Sequence, residues 1–162
     1  ICKDTAKLVF RAAQSLSINT VLGGTYLAME GPQFSSYAES QLYRSWGCDV
    51  IGMTNMPEAK LAREAEMRYV SVAMVTDFDC WHEAEGSVEV TDIIKVLHEN
   101  ASNAKLLVKS FVENYKKNYS QDIISGVDDV LDSAIITQNI SKETLIKCGL
   151  DAVASRIINA SK

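Results

Sequence analysis

GCDVIGMTNMPEAKLAREA, residues 47–65, reads as strand, loop and helix in one unbroken run. CDVIGM is short, apolar and bounded by turn residues, the pattern of a buried strand. Pro57 suits the first position of a helix, where its missing N–H costs nothing, and the charged-apolar pattern carries that helix to about Met67. A strand that feeds directly into a helix is the building unit of α/β proteins.

The flanks repeat the theme. Before it, Ser36 and Glu39 have capping-box spacing, which predicts a helix opening near Ser35–Ser36 and stopping at Gly47. Further back, SINTVLGGTYLAMEGP (17–32) is β-rich, and Gly23-Gly24 within it suggests a bulge or a close backbone approach in a strand. The glycine pair lacks the spacing of a dinucleotide or nucleotide-triphosphate loop. DTAKLVFRAAQSL (4–16) sets Ala6, Val9, Ala13 and Leu16 on one helical stripe.

After the opening stretch, YVSVAMVT (69–76) reads as another apolar strand. A helix is predicted over 91–117, with Ile93, Leu97, Ala104, Val108 and Phe111 on its apolar face. Helical stretches follow Ser120 and Ser141, the latter with Ile146, Leu150, Val153 and Ile157 on one side. The alternation predicts an α/β fold with a central mixed, largely parallel sheet flanked by helices. Residues 1–162 read as one α/β domain portion, with 118–162 as a helical tail and no internal repeat.

Composition narrows the classes. The 162 residues carry 16 basic and 21 acidic side chains, a net charge of −5, which argues against a nucleic-acid binder. No apolar segment approaches the roughly 20 residues that span a bilayer, so no membrane partner is expected. The first ten residues lack a signal-peptide layout. Four scattered cysteines without CxxC spacing predict a reduced, cytoplasmic protein, and two histidines exclude a His-rich metal site.

In parallel sheets the ligand site lies beyond the carboxyl ends of the strands. Three stretches reach that edge: EGPQFSS (30–36), GMTN (52–55) and TDFD (76–79). In an extended backbone Asp77 and Asp79 face one side. Two carboxylates in one apolar-walled pocket disfavour double ionisation, so one could donate a proton. The same spacing also fits a turn, or a DxD pair holding a divalent ion and a nucleotide diphosphate. Thr54, after a strand and before a helix, suits an anion. Phe34 could stack on a planar ligand or simply pack, and Met53 could be a core filler.

Taken in order, GTYLAMEGPQFSSYAES (24–40), GCDVIGMTNMPEAKLAREA (47–65) and VSVAMVTDFDCW (70–81) resemble the trimeric purine nucleoside phosphorylases. Within that family they are most similar to the branch acting on 5′-methylthioadenosine. The resemblance covers about residues 1–115. It implies cleavage of a purine nucleoside by inorganic phosphate as co-substrate, with no cofactor and no metal. Carried over, Asp77 protonates or hydrogen-bonds N7 of the base, Asp79 accepts from the 6-amino group, and Phe34 packs on the base. Thr76 lies at the base site, Met53 along the ribose, and Thr54 helps to bind phosphate.

The 6-oxopurine branch carries Asn at the position of Asp77 and Glu at that of Ser35. An acceptor-only carboxylate matches an amino donor instead, and a buried mismatch costs about 1–3 kcal/mol. That branch also places a His where Val90 stands. Val88, Val90 and Ile93 would make an apolar wall suited to a methylthio group, although helix packing alone would also explain Ile93.

The resemblance further implies that the family chain is nearly twice as long. The additional part would precede Ile1 and carry the first strands, a phosphate loop and an Arg-His pair. The 162-residue chain is therefore expected not to turn over nucleoside alone. Its expected partners are an N-terminal half chain or, for the full enzyme, two further copies in a homotrimer.

Overall fold

The computed structural model describes residues 1–82, 90–118, 126–137 and 140–160. These fall into two compact units. One gathers Ile1–Thr5, Pro57–Val70 and Ser120–Lys162; the other gathers Ala6–Met56 and Ser71–Tyr119.

The second unit holds α1 (Lys3–Ser15) beyond its first turn, then β1 (Tyr26–Ala28), α2 (Tyr37–Ser45), β2 (Val50–Gly52) and α4 (Val90–Asn118). β1 and β2 pair in parallel with Tyr26 opposite Val50 and Ala28 opposite Gly52, so β1-α2-β2 is a crossover unit of an α/β fold. The capping box at the start of α2 forms as predicted. Ser36 Oγ accepts from the Glu39 N–H at 3.3 Å, and the Glu39 carboxylate accepts from the Ser36 N–H at 2.7 Å. Gly47, at φ +74°, follows the helix end.

The Gly23-Gly24 pair marks a close approach. Both residues have φ near +100°, and a Cβ on Gly24 would sit 3.2 Å from Asp49 Oδ2, which accepts from the Thr25 N–H at 2.6 Å. The strand starts only at Tyr26, so the β-rich run 17–32 yields three residues of ladder. Gly52 is required for a related reason: a Cβ there would collide with the Tyr26 hydroxyl.

The core of this unit joins α1 to α4 through Ala12, Ala13 and Leu107, with Val9, Ile18 and Phe111 packed against them. The covered stripe of α4 runs through Ile93, Val96, Asn100, Ala104, Leu107 and Phe111. Leu97 and Val108, expected on the apolar face, are 52% and 62% exposed. They lie at the edge of the arc, and Leu107 turns inward instead.

YVSVAMVT does not form a ladder. Residues 69–76 join no sheet among the described residues. Val72, Met74 and Val75 are all exposed, so both faces of the run are open. β-Branched residues favour the conformation, but a strand also needs a neighbour for its backbone groups.

In the first unit, Pro57 caps rather than begins α3 (Glu58–Glu64). The helix ends short of Met67 because Glu66 turns to φ +54°. There its carboxylate accepts from Arg156 Nε at 2.7 Å, Arg156 Nη2 at 2.8 Å and the Leu131 N–H at 3.0 Å. Arg156 also donates to Asp132 at 2.5 Å. Glu66 thereby ties α3 to α5 (Val130–Ala134) and α7 (Ser155–Ala160).

α6 (Lys142–Lys147) and α7 bury Leu145, Ala154 and Ile158 with Ile140. Of the expected face, Ile146 and Leu150 are instead 49% and 39% exposed, while Val153 and Ile157 are half-buried. Gly149, at φ +70°, breaks the helix, so no single helical period runs across it.

The Arg156 guanidinium holds the Glu66 carboxyl below its usual range, against a smaller opposing effect of burial. A carboxyl depressed in the folded state stabilises fully above its unfolded pKa, about 4.3, and loses that contribution as pH falls through the lower folded value. Arg156→Met is therefore expected to lower Tm by more at pH 7 than at pH 3. Thermal melts at both pH values check this, and an equal gap at both would refute it.

Candidate active site

The parallel pairing brings two of the three stretches out at the same edge. The Met29 N–H donates to the Gly52 carbonyl at 2.9 Å, one residue past the end of β1. Two residues on, Gly31 takes φ +72°, and a Cβ there would lie 2.7 Å from Met53 Sδ. EGPQFSS and GMTN are thus in contact through Gly31 and Met53. Ser35 is half-buried, with its Oγ 3.8 Å from Met29 Sδ, while Phe34 is 86% exposed. Met53 is 37% exposed and Thr54 is exposed.

TDFD joins them by a different route. The Cys80 thiol donates to the Ser35 carbonyl at 3.4 Å, which fixes the turn after Asp79 against the EGPQFSS loop. Asn55 and Ser71 exchange side-chain hydrogen bonds at 2.9 and 3.1 Å, tying GMTN to the run that ends at Thr76. Asn100 of α4 donates to the Val75 carbonyl at 2.9 Å.

Within TDFD the backbone bends at Asp77, and a turn closes with the His82 N–H on the Asp79 carbonyl at 3.0 Å. The uniform extended geometry expected for the acid pair is broken there, and the two carboxylates differ in surroundings. Asp77 is exposed and accepts from Thr76 Oγ1 at 2.5 Å; Asp79 is half-buried. Phe78 between them is 67% exposed and stacks on His82 with centroids 4.3 Å apart.

Ile93 is half-buried in the first turns of α4. Val90 is the first residue of that helix, but its side chain and all of Val88 lie outside the described residues. The sequence reading assigned no role to Asn55 or Cys80. An Asn in the loop after a strand was the available signal for the first. The second, in contact across 45 positions, had none. All four cysteines are free thiols.

Residues 1–113 match the family model described as the phosphorylase superfamily. The chain belongs to that superfamily. It is 52% identical over 147 residues to an S-methyl-5'-thioadenosine phosphorylase of Bradyrhizobium diazoefficiens, covering 91% of this chain and 50% of the relative. A Rhodospirillum rubrum protein of the same name is 54% identical over 136 residues, covering 84% and 46%. Among solved structures, a methylthioadenosine phosphorylase from an antarctic soil metagenomic library superposes with TM-score 0.81 at 40% identity, over 94% of this chain and 53% of that one. The Schistosoma mansoni methylthioadenosine phosphorylase in complex with adenine gives 0.69 at 27% identity, over 81% and 51%. The superfamily chain described here therefore spans about half the length of these relatives. The family and α/β fold inferred from the three stretches are borne out.

Gly31 offers a direct check on how the first two stretches meet. Gly31→Ala strains a positive-φ backbone and pushes the Met53 side chain away. A loss of about 1 kcal/mol or more is expected in urea unfolding, with a shifted Met53 methyl resonance. An unmoved methyl signal would contradict the contact.

Proposed function

We propose that this chain supplies the base- and ribose-reading part of a phosphorylase that cleaves 5′-methylthioadenosine. Inorganic phosphate is the co-substrate, and adenine and 5-methylthioribose 1-phosphate are the products. The observation that carries the proposal is the meeting of EGPQFSS with GMTN at Gly31–Met53 and with the TDFD turn at Ser35–Cys80. That meeting brings the loops that follow β1 and β2, which carry Phe34 and Thr54, together with the turn that carries Asp77 and Asp79. The names of the relatives supply the substrate.

The glycosidic bond breaks toward a ribosyl cation, so the base must leave with its negative charge relieved. Asp77 protonates or hydrogen-bonds N7 of the base, and Asp79 accepts from the 6-amino group. Phe34 packs on the purine with Thr76 nearby, and Met53 lies along the ribose. Ser35, unlike a Glu, leaves the 6-position without a second carboxylate. Val88, Val90 and Ile93 form the apolar wall for the methylthio group. Such a wall gains only about 1–3 kcal/mol over a hydroxyl-bearing substrate, so adenosine remains a poor substrate rather than an excluded one.

Thr54 brings one hydroxyl to phosphate, which is little for a dianion. This, with the coverage of half the relatives' length, supports a second chain segment completing the phosphate site. The open run at Val72, Met74 and Val75 supports the same partner, because a run of exposed apolar side chains invites a covering chain. We place the assembly in the cytoplasm and, for the full enzyme, as a trimer.

The test uses this chain mixed with the N-terminal half of the Bradyrhizobium relative. Phosphate-dependent adenine release from methylthioadenosine is expected from the mixture. Asp77→Asn is expected to lower it by about 10²–10⁴-fold, the range of a general acid. Undiminished release by that variant removes Asp77 from the chemistry. Adenine binding without any release favours a non-catalytic nucleoside-binding protein of the same fold.

A further inference from the structure

The two carboxylates sit in a turn that α2 grips at both ends. At the start of the helix, the carbonyl of Ser35, next to the cap, accepts from the Cys80 thiol at 3.4 Å. In its last turn, the guanidinium carbon of Arg44 lies 3.8 Å from the ring centroid of Trp81. Trp81 in turn meets Phe78 edge-on at 5.8 Å and His82 edge-on at 5.2 Å, while Phe78 and His82 stack at an interplanar angle of 11°. Phe78 is the residue between Asp77 and Asp79. A force on Trp81 thus reaches the acid pair through one ring.

The chemistry suits a fixed clamp. A guanidinium is planar and always charged, so it stacks flat on an indole without depending on pH. The three rings pack edge-on and offset, the arrangements their quadrupoles favour. Phe78 is 67% exposed, so core packing does not hold it; its neighbours in this cluster do. The His82 N–H on the Asp79 carbonyl closes the backbone that the rings decorate.

We infer that Arg44, acting through Trp81, is a positioning residue that sets the direction of Asp77 and Asp79. The proposed function gives neither Arg44 nor Trp81 a contact with the base. The inference rests on the base-reading function proposed above and adds a specificity role on α2, a helix to which that function assigns none.

The experiment measures two quantities on the 162-residue chain: the exchange rate of the His82 amide, and the affinities for adenine and hypoxanthine by calorimetry. Arg44→Met is expected to speed exchange at His82 and to weaken adenine binding about two- to fivefold, the range of an exposed cation–ring contact. The preference for adenine over hypoxanthine should fall with it. Arg44→Lys, which keeps a cation over the ring, should restore most of both. Trp81→Leu should match Arg44→Met, and the double variant should be no weaker than Trp81→Leu alone.

Unchanged His82 exchange in Arg44→Met overturns the inference. So does faster exchange with an unaltered adenine preference, because that would make the clamp structural only. A wild-type chain that takes up no adenine is a separate result, visible before any variant is compared. It overturns the base-reading function, and with it the purpose assigned to Arg44.

Discussion

The register of two short strands governs everything around the site. Tyr26–Ala28 and Val50–Gly52 pair in parallel, so the loops that follow them must leave at the same edge. At the last rung Gly52 lies where Tyr26 needs room, and the Met29 N–H reaches the Gly52 carbonyl immediately beyond. A slip of one residue would turn every side chain of β2 to the other face. Met53 would then lose its place against Gly31, and the two loops would no longer meet.

α2 converts that register into a second connection. As the crossover between β1 and β2 it is fixed at its start by the Ser36–Glu39 box, independently of the sheet. Its first carbonyl neighbour and its last turn both face the TDFD turn, through Cys80 and Trp81. One helix thus relates the loop bearing Phe34 to the turn bearing the acids.

What the sequence disclosed divides along the range of the forces involved. The Ser36–Glu39 box and the stop at Gly47 are local, and both were legible. β1 and β2 were legible as strand-forming runs, but their extent depends on pairing, and only three residues of each found it. The run 69–76 has the composition of a strand, yet no composition supplies a neighbour. The C-terminal face was misplaced at Ile146 and Leu150 because Gly149 resets the helical phase. At the site, the acids, Phe34, Met53 and Thr54 stood out through a family pattern. The pairs Asn55–Ser71, Ser35–Cys80 and Arg44–Trp81 did not, since each joins residues far apart in the chain.

Exposure at the site carries its own argument. Phe34 and Phe78 are 86% and 67% exposed, and Asp77 faces solvent. A carboxylate discriminates an amino group from a carbonyl strongly only where the mismatched partner cannot be solvated instead. Removing water is also what lifts a carboxyl toward the neutral form that donates a proton. On the proposed function, then, a cover over Phe34 and Asp77 is a chemical requirement and not merely a structural one. The open apolar run at Val72–Val75 precedes Asp77 directly in the chain. A strand added there would bury the approach to the acid. Assembly and acid–base competence would then be one event, with the chain's own preference for adenine sharpened when the partner is in place.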